Sequence, residues 1–105
     1  MKNITSTESE ALIKSILYWI EKWDFECPTL FGLQKTEMEN IANSWPVSLT
    51  GNPKIALLAC LGSLREILYG ASALPKSEVS AVLGINYEHA SELCNEVYTE
   101  CQDSL

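Results

Sequence analysis

The sequence has few of the residues on which catalytic and nucleic-acid-binding sites most often depend. It contains 1 histidine, and its 7 lysines and arginines are outnumbered by 14 aspartates and glutamates, for a formal net charge of -7. Neither a glycine-rich phosphate loop nor a Gly-x-Ser-x-Gly motif is present. Lysine and arginine make most contacts to phosphate backbones and anionic membranes, so we expect no direct nucleic-acid or membrane binding. We also expect no enzymatic activity and no cofactor.

The sequence also lacks a long apolar run. The longest one, residues 16–20, is far shorter than the ~20 residues that a membrane-spanning helix needs. After Met1 there is no positively charged segment followed by an apolar stretch, which a secretory signal would require. The expected location is therefore the cytoplasm.

The cysteines do not form a Cys-x-x-Cys pair, and a metal site would have to recruit His89, the only histidine. We predict that the cysteines are buried or unreactive thiols, with a disulfide or a metal site as the alternatives. They are Cys27, Cys60, Cys94 and Cys101.

Helix start and stop signals dominate the chain. Asn52 and Asn86 are placed to cap helices, and Gly70 and Gly84 to end them. Capping boxes, in which a threonine precedes a glutamate by three residues, occur at 5–8, 7–10 and 36–39. The predicted helices cover residues 5–24, 36–44, 53–69, 76–83 and 86–103.

The fold class expected from these signals is all-α. The chain of 105 residues is 47% hydrophobic, and it shows no internal repeat and no linker. Residues 53–69 are apolar on most sides, which is typical of a helix in the middle of a domain. We therefore predict a single compact domain, residues 1–105, of about five helices packed around this central apolar helix.

Helical periodicity predicts which side chains are buried. In the first helix, Tyr18 falls on the polar side and is predicted to be exposed, with Trp19 at the border. Residues 25–35 are predicted to be a connection that packs its aromatic side chains on the core. The predicted apolar positions are Leu12, Ile13, Ile16, Leu17, Ile20 and Trp23 in the first helix, Ile55, Leu57, Leu58, Cys60, Leu61, Leu64, Ile67 and Leu68 in the central helix, and Tyr87, Ala90, Leu93, Cys94, Val97, Tyr98 and Cys101 in the last helix.

An acidic ridge runs along the last predicted helix. From residue 77 to residue 105 there are six acidic residues and no lysine or arginine. Like charges one helical turn apart destabilise a helix by roughly 0.2–0.5 kcal/mol per pair, so a face kept only for its polarity would usually include lysines. The ridge indicates either a solvated face or a docking surface for a cationic protein. It consists of Glu88, Glu92, Glu96, Glu100 and Asp103.

Residues 77–96 also resemble the helix-turn-helix pattern of bacterial regulators. Small and apolar residues, Val79, Leu83, Ala90 and Leu93, flank a turn at Gly84. Any two helices that pack through a glycine turn produce this pattern, and the would-be recognition helix is acidic. A transcriptional regulator is therefore the alternative, and a helical adaptor subunit is a third possibility.

An acidic, all-helical domain of about a hundred residues with a carboxylate ridge is similar to bacterial toxin-immunity proteins, of the nuclease-toxin or the contact-dependent growth inhibition type. The chain lacks the Tyr-Tyr pair of the colicin immunity proteins, so no family residue is transferred to it. The resemblance implies an inhibitor that occludes the active site or substrate-binding surface of a basic toxin. We expect the chain to be a monomer alone and to form a 1:1 heterodimer with its partner. The expected contact residues are Glu88, His89, Glu92, Glu96, Glu100, Asp103 and Tyr18.

Overall fold

The computed structural model describes residues 4–51 and 53–103, and within them the chain is all-α. These described residues form six α-helices, with a 3-10 turn at Val47–Leu49. The predicted fold class is confirmed, and the helix missing from the prediction is the short second one. The helices are α1 (Ser6–Glu21), α2 (Cys27–Phe31), α3 (Lys35–Asn43), α4 (Lys54–Leu68), α5 (Lys76–Leu83) and α6 (Tyr87–Asp103). In the described part of the chain, none of them has the length and apolar character needed to cross a membrane.

The start of α1 follows from its first capping box. The Glu8 backbone N–H donates to Thr5 Oγ1 at 3.1 Å, and Glu8 Oε1 accepts from the Thr5 backbone N–H at 3.0 Å. These two bonds satisfy N–H groups that a helix end would leave unpaired. The box at residues 5–8 is confirmed, and α1 therefore begins at Ser6.

The start of α3 differs from the prediction by one residue. Glu37 Oε1 accepts from the backbone N–H of Gln34 at 2.8 Å, so Gln34 is the capping residue and Thr36 already lies inside the helix. The predicted box at residues 36–39 is wrong. Glutamates stand at positions 37 and 39, and the box uses Glu37 with Gln34 instead of Glu39 with Thr36. The predicted cap at Asn52 lies outside the described residues, and α4 begins directly after Pro53.

The missed helix α2 lies in the segment that the sequence analysis assigned to a connection. Pro28 occupies its first turn, where a missing N–H costs nothing, and Gly32 ends it with a left-handed φ of 68°. Phe31 and Leu33 are buried, as predicted. Phe25 is not packed on the core, since 89% of it is exposed.

Helix α4 is central, as predicted, and it contacts α1, α2, α5 and α6. Its buried stripe contains Leu57, Leu61, Leu64 and Leu68. Ile55 and Leu58, in contrast, are 50% and 40% exposed. The prediction of a helix covered on nearly all sides is wrong for these residues, because the neighbouring helices leave one side of α4 uncovered. Leu17 of α1, predicted to be apolar core, is likewise 49% exposed.

The contact between α1 and α4 contains a hydroxyl without a partner. Trp19 is buried, and its Nε1–H donates to the Ser63 backbone carbonyl at 3.0 Å. The Ser63 side chain is fully buried, and among the described residues its Oγ is the one buried side-chain polar atom without a hydrogen-bond partner. A buried polar group that is not hydrogen-bonded costs free energy relative to water.

We expect Ser63→Ala to raise the free energy of unfolding by about 1 kcal/mol, because it removes this unpaired hydroxyl and improves helix propensity. Urea denaturation measures the change. The matched control is Ser15→Ala in α1, where an equally buried hydroxyl donates to the Leu12 carbonyl at 2.6 Å. Ser15→Ala should gain less stability than Ser63→Ala, or lose stability, because it removes a hydroxyl that is hydrogen-bonded. A Ser63→Ala protein less stable than Ser15→Ala would contradict the assignment.

Candidate partner-binding surface

The orientation of α6 is set at its N-terminus. Gly84 adopts a left-handed φ of 78° and ends α5, and Asn86 Oδ1 accepts from the His89 backbone N–H at 2.8 Å. The predicted Asn86 cap and Gly84 turn are therefore confirmed. The apolar face of α6 packs mainly on α4 and buries Ala90, Leu93, Cys94 and Val97.

The opposite face of α6 carries the acidic ridge. Glu88, Glu92, Glu96 and Asp103 are exposed, which agrees with their predicted position on the helix. Glu100 is half-buried, at the border of the ridge, and it already takes part in an interaction within the chain. The carboxylates that are available to a partner are thus concentrated in the first three turns of the helix.

The three glutamates in the first three turns of this face have no balancing cation in the described part of the chain. Of the lysines and arginines in residues 4–51 and 53–103, none lies within 4.0 Å of the carboxylates of Glu88, Glu92 or Glu96. The last turn of α6 also contains no basic residue to offset the helix dipole. Each repulsion between neighbouring carboxylates destabilises the helix by only a few tenths of a kcal/mol, but all of these contributions have the same sign.

His89 lies at the edge of the ridge and is held by α1. Its ring Nε2 is 2.8 Å from Glu8 Oε2, and the side chains are 40% and 12% exposed, respectively. The contact is an ion pair when the imidazole is protonated and a hydrogen bond otherwise. Glu8 therefore uses one oxygen to cap α1 and the other to hold α6. His89 does not point freely toward a partner, although a partner could still touch its exposed part.

The two contacts lower the pKa of the Glu8 carboxyl below its ordinary value of 4.5. The main cause is the hydrogen bond from the Thr5 backbone N–H, followed by the one from His89, and burial opposes both. A lowered pKa in the folded state means that the carboxylate stabilises the fold above pH 4.5. This contribution is lost as the pH falls through the lower pKa of the folded protein.

We expect Glu8→Gln to reduce the free energy of unfolding by about 1 kcal/mol at pH 7, because a charged acceptor is replaced by a neutral one. The difference from the wild type should shrink as the pH falls below 4.5. Urea denaturation at a series of pH values measures it, and the exposed Glu10→Gln serves as control. A difference that does not depend on pH would show that the charge of Glu8 contributes nothing.

Tyr18 is not the exposed aromatic residue that periodicity predicts. It is half-buried, because its ring packs edge-on against Trp19 at a centroid distance of 5.0 Å, and Lys22 Nζ lies 5.2 Å from the ring centroid. The aromatic side chains with the largest exposed fractions are instead Phe25 at 89%, Tyr69 at 52% and Tyr98 at 49%. The prediction that Tyr98 is buried is therefore also wrong.

Two of these tyrosines line a groove between α4 and α6. The groove has a volume of about 350 Å³, and we call it the tyrosine groove. Sequence reasoning missed it, because the lining residues come from two helices and only their packing brings them together. The one available signal was the position of Tyr98 at the border of the buried stripe. The lining residues are Leu61, Arg65, Tyr69, Cys94, Asn95 and Tyr98.

The thiols and the acidic groups do not form a recognisable chemical centre. Three of the four cysteines are buried and Cys101 is half-buried, all as free thiols, and burial raises the pKa of all four. A raised pKa leaves little of the reactive thiolate at neutral pH. In the described residues no group of three or more His, Cys, Asp or Glu could hold a metal ion.

Helices α5 and α6 form the hairpin that the helix-turn-helix resemblance predicted. Val79 and Leu83 before the Gly84 turn and Ile85 after it are buried, and α5 packs against α6. The outward face of α6 is the acidic ridge, which would repel a phosphate backbone. The regulator function stays a prediction without a supporting contact surface.

Comparisons of the chain with protein-family models, with curated proteins and with solved structures found no match. The resemblance to immunity proteins therefore rests on the character of the chain alone.

Proposed function

We propose that this chain is a non-enzymatic inhibitor that binds a basic protein through the acidic ridge of α6. The observation that carries the proposal is the row formed by Glu88, Glu92 and Glu96, which are exposed and lack a lysine or arginine within 4.0 Å among the described residues. A cationic partner would offset the repulsion within this row by its own attraction to the three carboxylates. The resemblance stated above favours an immunity protein that neutralises a basic, nuclease-type toxin domain in the cytoplasm.

The proposed mechanism is occlusion of a cationic cleft. Residues four positions apart on a helix are separated by about 6 Å along its axis, so the ridge presents a regular row of negative charges. Such a row imitates the phosphates of a nucleic acid and competes for the lysine, arginine or histidine side chains that would bind them. Long-range attraction between opposite charges makes association fast and sensitive to salt.

The anchoring of the ridge helix supports the same function. Helix α6 is anchored by its buried apolar face on α4 and by the contact between His89 and Glu8 on α1. A partner therefore meets carboxylates on a preformed helix, and ordering the backbone adds no further entropic cost to binding. We propose a monomer that forms a 1:1 heterodimer with its partner.

The test is capture of the partner from the native cell with the tagged chain, followed by elution in steps of increasing salt. We expect a basic protein that elutes at moderate salt, that arrests growth when expressed alone, and whose effect is suppressed by co-expression of this chain. Size-exclusion chromatography of the purified pair should then give a 1:1 complex.

The outcome that contradicts the proposal is a captured protein that is acidic, or one whose activity the chain leaves unchanged. A gel-shift assay with random duplex DNA at low salt tests the alternative directly. Specific retardation of the DNA would favour the regulator over the inhibitor.

A further inference from the structure

The tyrosine groove adjoins the acidic ridge on the surface of α6. Asn95 lines the groove and lies three residues after Glu92, so the two side chains are neighbours on the surface of α6 and the groove adjoins the ridge there. A volume of about 350 Å³ is at the lower end of the roughly 300–1,000 Å³ that is typical of ligand pockets. A protein segment that lies on the ridge can therefore place one side chain in the groove.

The groove is largely preformed. The Tyr69 hydroxyl is 2.6 Å from Ser91 Oγ, and the Tyr69 ring packs edge-on against Tyr87 at a centroid distance of 6.4 Å. Lys76 Nζ in turn lies 4.7 Å from the centroid of the Tyr87 ring. These contacts hold one wall of the groove in place before anything binds, which reduces the entropic cost of binding.

The charges around the groove select the type of side chain that fits. Arg65 lies in the groove, and among the described residues no carboxylate is within 4.0 Å of its guanidinium group. A lysine or arginine in the groove would be repelled by Arg65. A segment that covers the acidic ridge is basic and therefore poor in carboxylates. An uncharged aromatic ring is not repelled by Arg65, and it can stack on the guanidinium group and pack against the tyrosine rings.

We propose that the tyrosine groove receives an aromatic side chain, tyrosine or tryptophan, from the basic segment that covers the acidic ridge. This inference rests on the proposed function, because the basic character of the segment comes from the ridge. Asn95 and the Tyr98 hydroxyl supply hydrogen-bonding groups for a phenol or an indole N–H. Aromatic and arginine side chains at the centre of an interface usually contribute most of its binding energy, whereas charges at the rim mainly set the association rate.

The probes are two synthetic lysine-rich peptides of about a dozen residues that differ only in one central residue, tryptophan or serine. Calorimetry at low salt measures their affinities, and amide chemical shifts of the ¹⁵N-labelled chain locate them. We expect the tryptophan peptide to bind about tenfold more tightly and to shift the amides of Arg65, Asn95 and Tyr98.

The variants are Tyr98→Ser, Arg65→Gln and Phe25→Ser, of which the last removes an exposed aromatic side chain from a different cavity. Tyr98→Ser and Arg65→Gln should each remove most of the advantage of the tryptophan peptide, and Phe25→Ser should leave it unchanged. All three residues are exposed, and circular dichroism verifies that each variant folds.

The outcomes separate this inference from the proposed function. A fourth variant, Glu92→Lys with Glu96→Lys, reverses the charge of the ridge. If both peptides bind equally and only this charge reversal weakens them, the groove assignment is overturned while the ridge remains. If the tryptophan peptide binds through the groove and charge reversal of the ridge has no effect, the groove stands and the ridge does not. If neither peptide shifts the groove amides, the groove assignment is also overturned.

Discussion

Replacing Glu92 and Glu96 by lysine in one variant is expected to slow association with a basic partner by about ten- to a thousandfold at low salt. Both side chains are exposed in the middle of the acidic ridge, so the substitution converts an attractive surface into a repulsive one. Stopped-flow or surface-plasmon-resonance measurements with the captured partner give the association rate at several salt concentrations. The effect should fall as salt rises, because screening weakens interactions between exposed charges.

The matched control is the double variant Glu21→Lys with Glu39→Lys. These glutamates are also exposed, but they lie on α1 and α3, and their replacement changes the net charge by the same amount. We expect the control to change the association rate far less than the ridge variant does. Equal effects of the two variants would show that the partner responds to overall charge and not to the ridge.

The fold of the ridge variant should stay intact, because exposed substitutions away from caps and contacts usually change stability by no more than about 0.5 kcal/mol. Urea denaturation verifies this and separates lost binding from lost structure. An association rate that the ridge variant leaves unchanged would mean that the partner binds elsewhere, and the proposed inhibitor mechanism would then be wrong.

The exposure of the ridge could be predicted from the sequence because it depends on one helix alone. Helix α6 has 17 residues and a single apolar stripe, so helical periodicity fixes which side its glutamates occupy. The capping residues Thr5 and Asn86 were predictable for the same reason, since a cap involves only its own helix. This local pattern does not identify the partner that the ridge binds.

The errors in predicted burial fall where two helices must be placed relative to each other. Leu17, Leu58 and Tyr98 are apolar or aromatic and lie near an apolar stripe, but no neighbouring helix covers them fully. Periodicity shows which side of a helix is apolar and not how far the neighbouring helix extends over it. The contact of Glu8 with His89 joins residues 81 positions apart, and no local signal identifies such a pair.

Leu64→Ala is expected to reduce the free energy of unfolding by about 2–5 kcal/mol, because it leaves a cavity beside the central helix. Leu64 is fully buried in the middle of α4, which contacts both α1 and α6. A domain of this size usually has a total stability of about 5–15 kcal/mol, so the variant should unfold at much lower urea concentration. Urea denaturation followed by circular dichroism measures the loss.

The matched control for this prediction is Leu58→Ala, the same substitution in the same helix at a side chain that is 40% exposed. It should cost about 1 kcal/mol or less, because part of the leucine already contacts water and little cavity is left. The comparison also tests whether α4 has an uncovered side. If Leu58→Ala destabilises the chain as much as Leu64→Ala does, then that side of α4 is covered in solution, for example by a second copy of the chain, and the proposed monomer is wrong.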